Sequence, residues 1–338
     1  MTTMVNPFDA GGYTLAEMTS AINELPNIYT RLADIGLFRF EGVTQRTVLI
    51  EQAKGVLNLL PSVPLGGPAT VANREGRVLR AFVLPWVPHD DVIVPQDIQG
   101  IRQFGSTDAA DPLLSVMMRK LTRMRQKHAQ TREFMEINAL RGIVRDGAGT
   151  TLYNYFTEFG ISQISVAMAL GTDATKVSAK VREVSRNIED NLLGETSTGV
   201  HALVGPGFFD KLIEHPNVKE AYKYYQSGAQ PLREDMRRMF PFGGIVFEEY
   251  NATVTLSDGT TERLIPDTEG VAFPMGTMDT FVTYGGPANL METVNTIGVP
   301  IYARQLTRVD GTGIDLKTEA SPLPINKRPR TVIKLTTN

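Results

Sequence analysis

The stretch DPLLSVMMRKLTRMRQKHAQTREFMEINALRGIVRD, Asp111 to Asp146, sets how the rest of the chain is read. Asp111 is placed to cap a helix with Pro112 at its first position, and Gly147 follows its last turn, so both ends carry a signal. At ~1.5 Å per residue such a helix is a rod of roughly 54 Å, several times the usual three turns. Met117, Leu121, Met124, His128 and Met135 fall on one apolar stripe, and Arg119, Lys120, Arg123 and Lys127 lie together on another side. Beyond Phe134 the apolar positions spread around the axis through Ile137, Leu140 and Val144. One end of the rod is therefore expected to be wet and the other buried.

The surrounding chain reads as an α+β fold. Thr14 and Glu17 have capping-box spacing for a short helix Leu15 to Glu24, stopped at Pro26, and the residues before it read as a mobile arm. Strands are expected from Thr47 to Glu51 and from Arg77 to Leu84. Gly55, Pro61, Pro64, Gly66, Gly67, Pro68 and Gly76 interrupt the connection between them. That connection reads either as an ordinary surface loop or as an extended two-stranded loop reaching a neighbour. Its Val56, Leu57, Leu59, Leu60, Val63 and Leu65 would be a liability if exposed on a monomer, which makes them candidate inter-subunit contacts. A second helix, Ala174 to Leu193, carries Val177, Val181, Val184, Ile188 and Leu192 on one face, with Thr172 or Asp173 as its expected cap. Pro216 opens a third helical stretch, Asn217 to Gln226. Strands follow at Ile245 to Tyr250, Ala252 to Leu256, Thr260 to Ile265 after the Asp258-Gly259 turn, and Thr331 to Leu335.

Composition limits the chemistry. The 338 residues exceed the size of most single cores, and 42% apolar with 21% charged residues is ordinary folded composition rather than low complexity. The absence of cysteine removes disulfides and thiolate sites, so stability must come from packing. No run approaches the ~20 apolar residues that span a bilayer, so no membrane role is expected. A formal net charge of -3 gives no global attraction to nucleic acid, so any such contact must be local.

His89, His128, His201 and His215 show no metal-ligand spacing. His89-Asp90-Asp91, between Pro88 and Pro95, reads as a solvated loop. No P-loop or GxSxG elbow occurs. Gly205-Pro206-Gly207 reads as a strand-to-helix turn, and Asp310-Gly311-Thr312-Gly313 as a hairpin turn rather than a calcium loop. No enzyme activity, nucleotide hydrolysis, metal or cofactor is expected. The charged residues Arg119, Lys120, Arg123 and Lys127 could meet phosphates without reading sequence, although no aromatic residues interleave to stack bases; a solvated face or inter-subunit salt bridges are the plainer reading.

Four segments together resemble the lambda-type phage and prophage major capsid protein E family. They are Thr131-Arg-Glu-Phe-Met-Glu136 with Ala139-Leu-Arg-Gly142, Gly207-Phe-Phe-Asp-Lys-Leu-Ile-Glu-His-Pro216, Phe242-Gly-Gly-Ile-Val-Phe-Glu-Glu-Tyr250, and Glu292-Thr-Val-Asn-Thr-Ile-Gly298. The resemblance implies the Hong Kong 97 (HK97-like) capsid fold. It implies an N-terminal arm at residues 1–37, an extended loop at 38–86 and a peripheral domain at 87–159 with a spine helix at 111–146. An axial domain at 160–301 and a C-terminal segment at 302–338, returning to the peripheral or axial sheet, complete the division. It implies the head protein of a tailed double-stranded DNA phage, assembled in the bacterial cytoplasm as hexamers and pentamers of a prohead. Its implied partners are scaffold, portal, packaged DNA and in some cases a decoration protein. Some relatives cross-link through a lysine, an asparagine and a glutamate; Lys54 lies in the extended loop, but nothing nominates its partners, so no catalytic residue is carried over. The alternatives are a nucleic-acid-binding protein using the basic helix face and an enzyme with an unrecognised pocket; particle formation on overexpression would separate them from a shell subunit.

Overall fold

The computed structural model describes residues 14–24, 30–53, 77–98, 110–225 and 237–338. Its axis is the long helix, Ala110–Leu140, 31 residues. It is shorter at its C-terminus than the expected 111–146. Arg141 and Gly142 donate their amides to Ile137 and Ala139, and Gly142 then adopts a left-handed φ of 92° that turns the chain out of the helix. Ile143–Arg145 is consequently a strand, paired antiparallel with Thr151–Asn154. Asp146 Oδ1 accepts the amides of Ala148 and Thr150, so Asp146 belongs to a hairpin turn and Gly147 is not a helix stop. At the other end the helix already includes Asp111, which is not its cap.

The helix joins two of three apolar clusters. Val116, Met117, Leu121 and Met124 pack with Met18 and Ile22 of the Leu15–Glu24 helix and with Ile93, Ala303, Ile314 and Leu316. The last four come from a three-stranded antiparallel sheet, ordered Tyr302–Thr307, Ile314–Ala320, Val87–Ile93. Phe134, Met135, Ile137, Ala139 and Leu140 belong to the largest cluster. It includes residues of a second sheet, ordered Arg39–Gly42, Phe281–Gly285, Pro322–Asn326, and of the hairpin Thr47–Ala53 with Arg77–Val83. Every residue from Glu133 to Leu140 is buried, whereas Leu114, Arg119, Arg123 and Lys127 are exposed. The wet and buried ends fall where the periodicity placed them.

The third cluster lies on a six-stranded mixed sheet ordered Ile164–Ala167, Ile333–Thr336, Glu269–Met275, Gly199–Val204, Ile245–Glu249, Phe240–Phe242. The Val177–Asn191 helix buries Val177, Val181, Val184 and Ile188 against it, as the three-and-four spacing requires. Its cap position is Lys176, without a side-chain cap, rather than Thr172 or Asp173. The Thr175 hydroxyl instead donates to the Ala169 carbonyl, holding residues before the helix in a turn. Gly205 to Gly207 forms the expected turn into the Pro206–Glu214 helix, and Pro216 opens the Pro216–Tyr225 helix. The capping box at the chain's first described helix is formed: Thr14 N–H donates to Glu17 Oε2 at 2.8 Å and Glu17 N–H to Thr14 Oγ1 at 3.3 Å.

The His89-Asp90-Asp91 loop expectation is corrected: these residues lie in the strand Val87–Ile93. That strand is at the edge of its sheet, where a proline such as Pro88 costs no ladder hydrogen bond if its nitrogen faces outward. The mobile arm before Leu15 and the contact residues Val56, Leu57, Leu59, Leu60, Val63 and Leu65, with Lys54, lie outside the described residues.

Gly142→Ala tests the helix stop. Alanine pays for a left-handed φ, and its Cβ would run into the Phe156 ring, so the variant should lose about 2 kcal/mol or more in thermal or denaturant unfolding. An unchanged melting temperature would show that the turn does not depend on glycine.

Candidate functional site

The basic face proves to be three exposed charges and one that fastens the helix to its neighbours. Lys120 Nζ lies 3.2 Å from both Asp91 Oδ1 and Asp97 Oδ2 and donates to the Val92 carbonyl at 2.6 Å, fastening the helix to the edge strand and the short helix after it. The Val94 amide, and then Lys120, hold the exposed Asp97 carboxyl below its ordinary range. Arg119, Arg123 and Lys127 recur every fourth residue, all exposed, and so form one outward stripe. Lys127 Nζ lies 3.2 Å from His89 Nε2, and burial followed by this ammonium keeps His89 below its usual value.

A second surface is apolar. In the hairpin Thr47–Ala53 with Arg77–Val83, Val48, Ile50 and Phe82 point inward and are buried. On the opposite face Leu49, Leu79 and Val83 are 62%, 59% and 55% exposed, with Ala81 between them. Trp86, just beyond, is also exposed and donates its indole N–H to Glu319 Oε2 at 3.0 Å. Met291, Val294 and Ile297, in the irregular segment containing Glu292 to Gly298, form another exposed apolar group. Sequence reasoning did not nominate them, although apolar residues in a segment with neither helical nor alternating spacing are a recognisable signal.

Inside, the long helix carries polar groups that periodicity did not mark. His128 is 6% exposed; its Nε2 is 2.9 Å from Thr318 Oγ1, and that hydroxyl donates to the His89 carbonyl. The hydroxyl proton is thus committed and Nε2 must donate. Burial, then the neighbouring His89, lowers the His128 pKa to about 4. Glu136 accepts from Arg132 Nε and from the Thr283 hydroxyl, both at 2.7 Å. Glu133 Oε1 accepts the Leu32 amide at 3.1 Å and the Tyr250 hydroxyl at 3.0 Å. Glu248, where burial pushes the pKa up but hydrogen bonds from His201 and Arg31 outweigh it, is held below the usual carboxylate range. These groups partner one another across elements. Among the described residues no group of acidic side chains and histidines has the arrangement of a metal site, and no helix is long and apolar enough to cross a membrane.

The profile of the family described as phage major capsid protein E matches residues 14–337. The chain belongs to that family. It is 32% identical to the major capsid protein of Pseudomonas phage KPP10, over 95% of this chain and 96% of that one. To the major capsid protein of Salmonella phage Felix O1 it is 27% identical, over 98% of each. Among solved structures, the prophage protein of E. coli CFT073 described as a capsid protein superposes with a TM-score of 0.61 at 14% identity, covering 97% of this chain and all of that one. The mature capsid subunit of bacteriophage PhiM1 gives 0.52 at 14% identity, over 92% of this chain and 87% of that one. The fold is HK97-like, and the capsid chain is a structural component of the virion, many copies of which form the head shell of a tailed phage. Phage major capsid protein E chains are structural, non-enzymatic proteins.

The buried imidazole makes the capsid chain acid-sensitive in a defined window. With a folded pKa of about 4 against 6.5 for the free side chain, His128 contributes stability that is complete above pH 6.5 and is lost as pH falls toward 4. That loss is worth up to about 3 kcal/mol. His128→Gln keeps an N–H for Thr318 and cannot titrate, so the stability difference between wild type and variant should shift against the wild type between pH 6.5 and 4. A difference independent of pH, measured by denaturant unfolding at each pH, would show that His128 is not held neutral.

Proposed function

We propose that the shell is built of hexamers and pentamers in which the hairpin projects from each subunit onto its neighbour. The observation that supports this is the two-faced hairpin: Val48, Ile50 and Phe82 root it in the core while Leu49, Leu79 and Val83 expose apolar surface that water disfavours. Residues 54–76 link its two strands in the sequence, and in this reading Val56, Leu57, Leu59, Leu60, Val63 and Leu65 would add to the buried area. In this reading residues 1–37 are the arm, 38–86 the extended loop, 87–159 the peripheral domain and 160–301 the axial domain, with 302–338 returning to their sheets. Many modest contacts, closed into rings, hold a shell through effective concentration rather than through any single strong interface. Scaffold, portal and, where present, a decoration protein are the expected assembly partners. Deleting 55–76 should leave a folded, soluble chain that no longer forms particles in electron micrographs. Normal shells from that variant would sink the hairpin contact.

Packaged DNA is the partner we propose for Arg119, Arg123 and Lys127, bound through phosphates, without base preference and weakened by salt. Their exposure on one stripe supports it, and Lys120, already committed to Asp91 and Asp97, is left out. The rival partner is an acidic surface of an adjacent subunit or scaffold. Replacing all three by glutamine removes the charge and largely keeps helix propensity. Empty shells should then form normally while filled heads are less stable than wild type at low salt, the difference shrinking as salt rises because the charges that salt would screen are gone. Failure of empty shells, or filled heads as stable as wild type, would reject DNA as the partner.

A further inference from the structure

The helix Arg31–Ile35 is seated on the long helix in an unusual way. Two cavities, of about 390 Å³ and about 410 Å³, flank it. Thr30 and Glu133 line both. Leu32 is fully buried, but cavities on both sides deny the seat the dispersion contacts that continuous packing would supply. Polar contacts add to the anchorage that Leu32 gives. The residue before the helix, Thr30, makes no side-chain cap, and the Leu32 amide is satisfied by Glu133 Oε1 instead. Glu133 is thus the cap of a helix in another part of the chain, and it ties Tyr250 to the same oxygen.

Its other oxygen is not satisfied. Glu133 is 6% exposed, and among the described residues Oε2 has no hydrogen-bond partner. The charged groups lining the two cavities are Arg31, Arg125, His128, Arg132 and Glu136. Arg31 pairs with Glu248, which also meets His201. Arg132 pairs with Glu136, and Arg125 donates to the Ile22 carbonyl two turns from Glu133 along the helix. His128 is neutral. Glu136 adds a like charge beside Glu133.

We propose that Glu133 is a proton-controlled latch: with a proton on Oε2 it holds Arg31–Ile35 on the long helix, and on losing that proton it loosens the seat. Burial first, and the Glu136 carboxylate after it, raise the Glu133 pKa to about 7 despite the opposing bonds from the Leu32 amide, the Tyr250 hydroxyl and the Arg31 amide. In the seated state the proton is retained to about pH 7; unseated and solvated, it leaves near the ordinary value of 4.5. Raised in the seated state, the group contributes stability that is complete below 4.5 and is lost as pH rises to about 7, levelling off above. Glu248, held low, is already ionised across this window and adds no opposing slope.

The test is hydrogen exchange of the Leu32 amide in the full-length protein from pH 5 to 8.5, corrected for the intrinsic chemical rate. One proton released on unseating changes protection by about tenfold per pH unit. Protection should therefore fall at about that rate up to pH 7 and then flatten, while the amides of Ile137 and Ala139 keep their own profile. Glu133→Gln, which keeps an acceptor for Leu32 and cannot ionise, should abolish the slope. Tyr250→Phe removes a bond that favours the carboxylate, so its break point should move above pH 7. A flat wild-type profile, or an unaltered slope in Glu133→Gln, overturns the latch. If Glu133→Gln does not fold, the direction of the Tyr250→Phe shift decides, and no shift or a downward one is fatal.

Discussion

Eight consecutive helical residues, Glu133 to Leu140, have no solvent side, and that burial is the constraint from which the molecule is organised. A helix surrounded on every side must find apolar partners around its whole circumference. Here they come from the sheet containing Phe281–Gly285, from the hairpin carrying Phe82, and from Tyr155 and Phe159. Burial also selects for partners to the polar groups of the segment, found within the helix and in other elements. Asn138 donates back to the Phe134 carbonyl, Glu136 draws in Arg132 and Thr283, and Glu133 fixes the start of Arg31–Ile35. Strand and helix positions far apart in sequence are thereby set by about two turns of helix.

The attachments are graded. The sheet of six strands and its helices form a cluster of their own, joined to the axis through shared strands such as Glu269–Met275, whose Val271 and Phe273 face one cluster and Ala272 the other. The segment Thr30 to Leu32 is held at both ends by carboxylates, Glu248 through Arg31 and Glu133 through the Leu32 amide. At the wet end of the axis, Lys120 and the Leu15–Glu24 helix do the fastening, and Asn23 donates to the Ile301 carbonyl at 2.9 Å. The outward surfaces, basic on one stripe and apolar on the hairpin, sit on elements whose inner faces are already committed.

Much of this was legible before any coordinates, and the rest was hidden for definite reasons. Apolar spacing located the long helix, its two-ended character and the Val177–Asn191 helix, because burial of one face is what produces the pattern. The helix ends were misplaced by competing signals: Gly147 outranked Gly142 only because Ile143 and Val144 extend the apolar rhythm, yet two apolar residues fit a short strand equally well. The strand through His89 was masked by Pro88 and Pro95, whose weight as breakers falls at a sheet edge. Lys120 looked like its neighbours on the basic face, since nothing local reveals that Asp91 and Asp97 approach it from another element. Glu133 and Glu136 had a signal that went unused. Carboxylates set within a stretch whose apolar residues leave no wet side have to be inside, and must therefore be partnered.

The long helix is also a beam, embedded in the largest cluster at one end and fastened to Leu15–Glu24 and the edge strand toward the other. From the buried turn near Glu133 to Ala110 is a run of about 23 residues, or ~35 Å at the usual helical rise. A tilt of about 5° at the buried turn would carry the Ala110 end, together with the elements fastened to it, through roughly 3 Å, comparable to the width of a hydrogen bond, with no change in the helix itself. Leverage of that kind converts small repacking in the core into displacement at the outer stripe of Arg119, Arg123 and Lys127, in proportion to each residue's distance from the fulcrum. Stiffness along the beam, rather than contact between the two ends, is what would let the inside of the subunit and its surface move as one.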